Sequence, residues 1–330
     1  MTPDPLTQML TLVKARCTLA GGFRAHGEWS YRFQESTVVK LNAIVRGSCW
    51  LIADSASPVR LKAGDAVVLN RVRSVVLCTS TDLRPAEGAD RPAQAVGDLA
   101  SDGGPDEVAL IGCHVELDAA ADEVFTSALP AVTHVGPSSS EAAEMRRLIE
   151  RIGQETAGMR PGAGFAADQH AQLLLLEVLR LCLDDENLTR RGWLRLFADQ
   201  HLRPAVALMH QEPSRRWSLP ELAAAAGMSR SHFAHRFREV AGEPPLTYLT
   251  HFRIHLAKQA LRESDTTLAV LAARLGYASE SSFSHAFART TGFTPGGYRR
   301  ATNPSRSRSG AGRPGEDPAV DRQGVVRLRE

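Results

Sequence analysis

The rhythm of apolar positions changes repeatedly along the chain, and each change predicts a different kind of element. Leu6, Met9, Leu10 and Val13 recur at helical spacing, which predicts a short amphipathic helix ahead of the first core. From Thr37 to Ser80 the pattern becomes short Val, Leu and Ile runs, TVVKLNAIV, SCWLIA, AVVLN and SVVLC, broken by Gly47 and by Gly64-Asp65. Such runs predict the strands of a small antiparallel β structure. Thr81 to Glu107 is rich in Asp, Gly, Pro and Ala, has no apolar period and reads as a long mobile loop, followed by a further strand in VALIGCHVEL. After Gly136 the helical period returns: Met145, Leu148, Ile149 and Ile152 form one stripe behind a start signal at Ser138 to Ser140. A second helix over about 163–183 carries LLLLEVLRLCL, apolar almost all round, so it is buried in its own domain or against a second copy of the chain. From Thr302 onward, NPSRSRSGAGRPGEDP reads as a disordered tail.

Between Trp217 and Arg300 the pattern repeats itself. Phe233, Phe237, Gly242 and Pro245 return as Phe283, Phe287, Gly292 and Pro295 at an offset of 50. Leu222, Ala223 and Gly227 return as Leu271, Ala272 and Gly276 at an offset of 49, so one residue is inserted at the turn of a copied supersecondary unit. Each copy has a short Ala/Leu helix, a Gly suited to positive φ and an amphipathic second helix, the grammar of a helix-turn-helix. In the first copy, over about 229–240, Phe233, Phe237 and Val240 fall on one side and Ser231, His235 and Arg238 on the other. The second copy sets Phe283 and Phe287 inward and Ser281 and His285 outward, and Arg230, Arg238 and Arg289 flank the two polar faces. A face of this kind fits the DNA major groove, where Arg favours guanine and Ser or His bonds several base edges. For any one residue a solvated helix face reads the same; the repeated pattern is what favours recognition. Between the copies, PLTYLTHFRIHLAKQALRES places Tyr248, Phe252, Leu256 and Leu261 at near-helical spacing and predicts one long helix separating two readers. Successive major grooves lie roughly 34 Å apart.

Charge sharpens this division. The 330 residues carry a net charge of +2, yet residues 1–189 hold 17 Lys and Arg against 25 Asp and Glu, while residues 190–300 hold 16 against 8. An acidic front and a basic back suggest that only the back meets a polyanion, although charge alone leaves a basic solvated surface open. A chain this long exceeds one hydrophobic core, and its 43% hydrophobic content suffices for two. MTPDPLTQML lacks the basic start and apolar block of a secretory signal, and no apolar run reaches the roughly 20 residues of a membrane span, so a cytoplasmic protein without a membrane partner is expected. Cys17, Cys49, Cys78, Cys113 and Cys182 are odd in number and lack CxxC spacing, which argues against a disulfide framework or a zinc finger.

With these motifs in view, SLPELAAAAGMSRSHFAHRFREVAGEPPLTYL followed by LAARLGYASESSFSHAFARTTGFTPGGYRR resembles the DNA-binding domain of AraC/XylS-type transcription regulators, most specifically at Gly276-Tyr277, Phe283, Phe287, Gly292, Pro295 and Tyr298. GSCWLIAD, LKAGDAVVL and LPAVTHV resemble the cupin-like N-terminal domain of one branch of that family. The resemblance implies an α+β protein: a cupin-like jelly-roll barrel at 1–135 as sensor, a helical dimerisation linker at 136–189, an all-α tandem helix-turn-helix domain at 190–300 and a tail at 301–330. It further implies a homodimer, double-stranded promoter DNA and RNA polymerase as partners, and a small-molecule effector. By position, the base-facing set becomes Arg230, Ser231, Ala234 and His235 in the first unit and Glu280, Ser281, Ser282 and His285 in the second. Ala234 reads at most a thymine methyl; Glu280 accepts from a cytosine amino group or caps its helix.

The resemblance also carries a departure. Metal-binding cupins place a P-x-G-x-x-H turn after the GD element, but GDAVVLNRVRSVVL has neither that Pro nor that His, and His26, His114 and His134 are scattered. No metal, cofactor or enzymatic activity is therefore expected, and a cupin-type metal-dependent isomerase or oxygenase fused to a DNA reader is the disfavoured alternative. A nonspecific architectural DNA binder is disfavoured by the two shaped readers. A thiol-based sensor is a further variant, with Cys17 and Cys113 as candidates. Trp29, Tyr31, Phe33 and Trp50 line an effector pocket or are plain core.

Overall fold

The computed structural model describes residues 4–34, 39–53, 56–87, 107–118, 122–136, 142–157, 160–184 and 192–302. Most of the expected loop, the tail after Thr302 and parts of the expected linker lie outside them.

Asp4 starts the first helix, α1 (Pro5–Leu12), by accepting a hydrogen bond from the Thr7 amide, and Pro5 occupies the first turn where no N–H is needed. Among the described residues, ten strands and one helix follow: β1 (Arg16–Ala25), β2 (Ser30–Gln34), β3 (Val39–Arg46), β4 (Ser48–Ala53), β5 (Val59–Lys62), β6 (Ala66–Asn70), β7 (Ser74–Cys78), β8 (Ala86–Glu87), β9 (Val108–Glu116), α2 (Asp122–Ser127) and β10 (Val132–Val135). They build two five-stranded sheets, ordered β1-β9-β3-β6-β10 and β5-β4-β7-β2-β8. The expected closed barrel is not what forms: among the described strands no ladder joins one sheet to the other. One reason lies at the edge strand β1, whose backbone is completed by helix side chains rather than by another strand. Cys17 N–H donates to Gln172 Oε1 at 2.7 Å, Leu19 N–H donates to Asp168 Oδ1 at 2.9 Å, and Gln172 Nε2 donates to the Ala15 carbonyl at 3.1 Å.

The first sheet is apolar on both faces. Val67 and Leu69 of β6 point into the core between the sheets, with Ile44, Leu51, Leu77 and Leu110, while Ala66 and Val68 point to the opposite side. That is why AVVLN is an unbroken apolar run and every residue of it is buried. The outer face is covered by α3 (Ala142–Ala157) and α4 (Ala163–Asp184), which pack against β3 and β1 and bury Met145, Ile149, Ile152, Leu174, Leu175, Val178 and Leu179. Core burial thus accounts for most of the oily block in α4, although Phe165 and Leu173 remain exposed.

The described residues from 192 to 302 are helical: α5 (Trp193–Ala198), α6 (Arg203–Gln211), α7 (Leu219–Ala225), α8 (Arg230–Ala241), α9 (Pro245–Glu263), α10 (Leu268–Arg274), α11 (Glu280–Thr291) and α12 (Pro295–Thr302). Its two halves are anchored differently. Phe233, Phe237, Tyr248 and Phe252 share one continuous core with Trp193, Phe197 and, from the first domain, Met9 and Leu12 of α1. Ile254, Leu261, Leu271, Leu275, Phe283 and Phe287 form a separate core. Each of these fully buried phenylalanines contributes on the order of 1.5–3 kcal/mol by leaving water.

Candidate nucleic-acid interface

The two units with helix-turn-helix grammar are α7–α8 and α10–α11. Ser218 opens α7 with a capping box in which its hydroxyl accepts from the Glu221 amide and Glu221 accepts from the Ser218 amide at 2.8 Å. Thr267 opens α10 by accepting from the Val270 amide. The second helix of each unit starts on a serine: Ser229 accepts from the His232 amide, and Ser279 from the Ser282 amide at 3.1 Å. Both helices end on a left-handed glycine, Gly242 and Gly292. Beneath them the rings pack in matched tilted pairs, Phe233 on Phe237 with centroids 5.7 Å apart and Phe283 on Phe287 at 5.8 Å.

With those rings fixed inward, the opposite faces turn out to solvent. On α8, Arg230, Ser231, His235 and Arg238 are exposed and Ala234 is half-buried. On α11, Glu280, Ser281, Ser282, His285 and Arg289 are exposed. Every DNA-contact candidate singled out from the sequence therefore lies on one of two second helices, with Ala234 recessed. Ser282 is committed locally: its hydroxyl donates to the Ser279 carbonyl at 2.8 Å and accepts from the Ser279 amide at 3.2 Å, completing the helix cap. Ser279, not Glu280, is the capping residue; Glu280 sits in the first turn, where the helix dipole favours a carboxylate. The residue that the resemblance leaves out is Ser284, half-buried on α11 at the place of Ala234, and the offset of 50 was the signal for it. The two faces differ in charge, because Arg230 and Arg238 of α8 correspond to Glu280 and Ala288 of α11.

α8 is held in place from below by Arg236, whose Nε and guanidinium donate to Asp199 at 2.9 and 2.8 Å. Asp199 is buried and its other oxygen accepts the amides of His201 and Leu202 at the start of α6. In the last turn of α6, His210 lies 3.9 Å from the Phe252 ring centroid, nearly parallel to it, and its Nε2 is 2.8 Å from the Tyr248 hydroxyl. Burial pushes the His210 imidazole down to about 3. At the rim, His251 is paired with Glu243 at 2.7 Å, which raises its pKa against the opposing effect of burial.

The other sequence candidates lie in the sheet domain. Phe23 gathers Trp29, Tyr31 and Phe33 at centroid distances of 5.2, 5.8 and 5.6 Å as part of the packing between the sheets, while Trp50 sits apart under Arg60. Cys17 and Cys113 lie on neighbouring strands, both buried and free; the hydrogen bond to Cys113, together with burial, raises the pKa of the Cys17 thiol. Among the described residues no group of three or more His, Cys, Asp or Glu side chains is placed to hold a metal, and His134 is hydrogen-bonded to Asp65 at 2.9 Å.

A sheet domain joined to two polar recognition faces on a shared helical scaffold is the architecture of a DNA-binding transcription regulator. A cupin family model matches residues 4–184, and a helix-turn-helix domain model matches residues 222–301. A putative AraC-like transcription regulator of Streptomyces antibioticus is 37% identical over 302 residues, covering 91% of this chain and 100% of that one. Another from Streptomyces lividans is 38% identical over 298 residues, covering 90% and 98%. Among solved structures, the DNA-binding domain of AdpA in complex with a target DNA is 33% identical, covers 32% of this chain and 96% of that chain, and superposes with a TM-score of 0.31. The chain belongs to the AraC-like transcription regulators, with a cupin N-terminal domain and a C-terminal helix-turn-helix domain.

Proposed function

We propose that this protein is a cytoplasmic, non-enzymatic regulator that reads promoter DNA with two successive recognition helices, α8 and α11, and adjusts that reading to a small-molecule or stress signal received by the N-terminal domain. The carrying observation is the repeat of one exposed polar face over one buried phenylalanine pair: Arg230, Ser231, His235 and Arg238 on α8, and Ser281, His285 and Arg289 on α11. His and Ser bond several base edges, Arg bonds guanine or phosphate, and Glu280 tempers the charge of the second face. The reading divides the chain into a sensor at 1–135, a linker at 136–189 and a reader at 190–300, and takes RNA polymerase as the downstream partner. A homodimer is part of it: Phe165 (74% exposed) and Leu173 (48%) are large apolar side chains of α4 that the fold leaves uncovered. No helix among the described residues is long and apolar enough to cross a membrane.

The test is fluorescence-anisotropy titration of the full chain against DNA from upstream of its own coding region and a scrambled duplex, across a salt series. A preference of roughly 10³-fold or more is expected for the operator. That preference should collapse in the double variant His235→Ala, His285→Ala. Equal binding to a genome-wide set of fragments and to scrambled DNA would sink the claim of sequence-specific reading.

A further inference from the structure

The long helix α9 joins the two readers covalently, but it is not their only connection. Gly227 and Gly276 occupy the same turn in the two units, both with positive φ, at +64° and +79°. A Cβ on Gly227 would meet nothing within 4 Å, whereas one on Gly276 would lie 2.1 Å from the Ser214 carbonyl oxygen and 2.7 Å from its carbon. The turn of the second unit is therefore pressed against the backbone of the loop that leads into the first. Arg253, half-buried on α9, bonds that same loop: Nε donates to the Pro213 carbonyl at 2.6 Å and Nη2 to the Arg215 carbonyl at 2.7 Å. Its guanidinium lies 5.8 Å from the ring centroid of Tyr277, the residue after Gly276.

Each end of this junction is stiff. On one side the Arg215 guanidinium stacks 4.0 Å over Trp217, Trp217 Nε1 donates to the Glu212 carbonyl, and Arg215 pairs with Glu221 of α7. On the other, Tyr277 packs on Phe283, centroids 5.4 Å apart, and Phe283 is the inner anchor of α11. A continuous brace thus runs from α7 through the loop, Arg253 and Tyr277 to the second recognition helix. Rotating the second unit about α9 would separate the Gly276 turn from the Ser214 backbone and draw the Tyr277 ring off the guanidinium that holds the loop.

We propose that Arg253 is a specificity-determining positioning residue: by tying the loop at 213–215 to the Gly276-Tyr277 turn it fixes the distance and angle between α8 and α11, and so fixes which spacing of two half-sites the protein accepts. This rests on the two-reader proposal above. One inserted base pair shifts a half-site by about 3.4 Å and turns it by about 35°, which a braced pair cannot follow.

The probe is the duplex selected by the full chain from random-sequence DNA, together with versions carrying one or two extra base pairs between the half-sites. The wild-type chain should lose about 10- to 100-fold per insertion, comparable to the loss from a mismatched base pair. Arg253→Met should bind the parent duplex several-fold more weakly yet lose much less on insertion. Arg253→Lys, which keeps one donor for the carbonyls, should recover part of the discrimination. Tyr277→Leu, which removes the ring face but leaves the carbonyl bonds, gives a second reading should the Met variant fail to fold. The proposal is overturned if wild type tolerates the insertions, or if the variants weaken binding to every spacing by one common factor. Failure of the selection to enrich any duplex, or enrichment of a single half-site, overturns instead the two-reader reading on which it stands.

Discussion

His210 shows how much of the scaffold depends on one neutral ring. It lies against Phe252, meets Phe197 edge-on and shares a hydrogen bond with Tyr248, all under the first reader. In the unfolded chain the imidazole titrates near 6.5, whereas burial holds it down to about 3 in the folded protein. Between those values the unfolded state binds a proton that the folded state does not, so stability is full above the unfolded pKa and falls as pH drops toward the folded one. Urea unfolding should therefore show a loss of about 2 kcal/mol between pH 7 and pH 5 from this group. His210→Gln, which cannot titrate, should lack that part of the pH dependence; identical pH dependence in both would assign the proton elsewhere. Residues like His210 carry no periodic signal and were not legible in the sequence. The outward residues of the readers were, because a helical wheel needs only the two phenylalanines to set its phase. What the wheel lacks is the local bonding: Ser282 faces outward on it, but its hydroxyl is taken up by Ser279.

At the scale of elements, legibility followed the strength of the local pattern. α1, α4, α8, α9 and the strands β3, β4, β6 and β7 stood out because their apolar residues repeat with a clear period or run unbroken. β1 was missed, since RCTLAGGFRA has two glycines and two arginines, and becomes a strand only through β9 on one side and the side chains of α4 on the other. The short α2, α5 and α6 are likewise defined by what they pack on, Trp193 and Phe197 of α5 being buried against Phe125 and His210. The two recognition helices differ as elements: α8 presents arginines at both ends, while α11 begins with Glu280. Glu280→Gln should accordingly tighten binding to operator and scrambled duplex by a common factor, by removing a charge that repels phosphate. Arg238→Ala should instead cost about 1–3 kcal/mol on the operator alone, as loss of a base contact does. Anisotropy titrations on both duplexes separate these outcomes, and a uniform loss for Arg238→Ala would make it a phosphate contact.

Across the whole molecule the two readers stand in different relation to the sheets. The first shares their core through Met9, Leu12, Trp193 and Phe252; the second meets the sheet domain through the ion pairs Lys14–Glu263 and Arg262–Asp118 at the end of α9. Lys14 and Glu263 are each nearly half exposed, so that pair adds little stability, whereas Arg262 and Asp118 are mostly buried. Hydrogen exchange should then report two cooperative units. Met9→Ala, a cavity change worth roughly 2–5 kcal/mol, should speed exchange in the sheets and in α5 to α8 together. Leu271→Ala should speed it only from α10 to α12. Uniform acceleration by either variant would mean a single unit. The acidic-to-basic change in sequence falls ahead of the helical half and not at this seam, because charge follows the surface and the seam follows the core.

That seam has a practical meaning for anyone exchanging parts between related regulators. Cutting the chain ahead of Trp193, where the charge pattern changes, would slice through packed rings and leave two halves each missing a wall. A graft made inside α9, between Phe252 and Ile254, follows the boundary between the two cores and makes the second reader the exchangeable cassette. The residue that such a cut passes through is Arg253, so a successful graft has to bring along the loop its guanidinium holds.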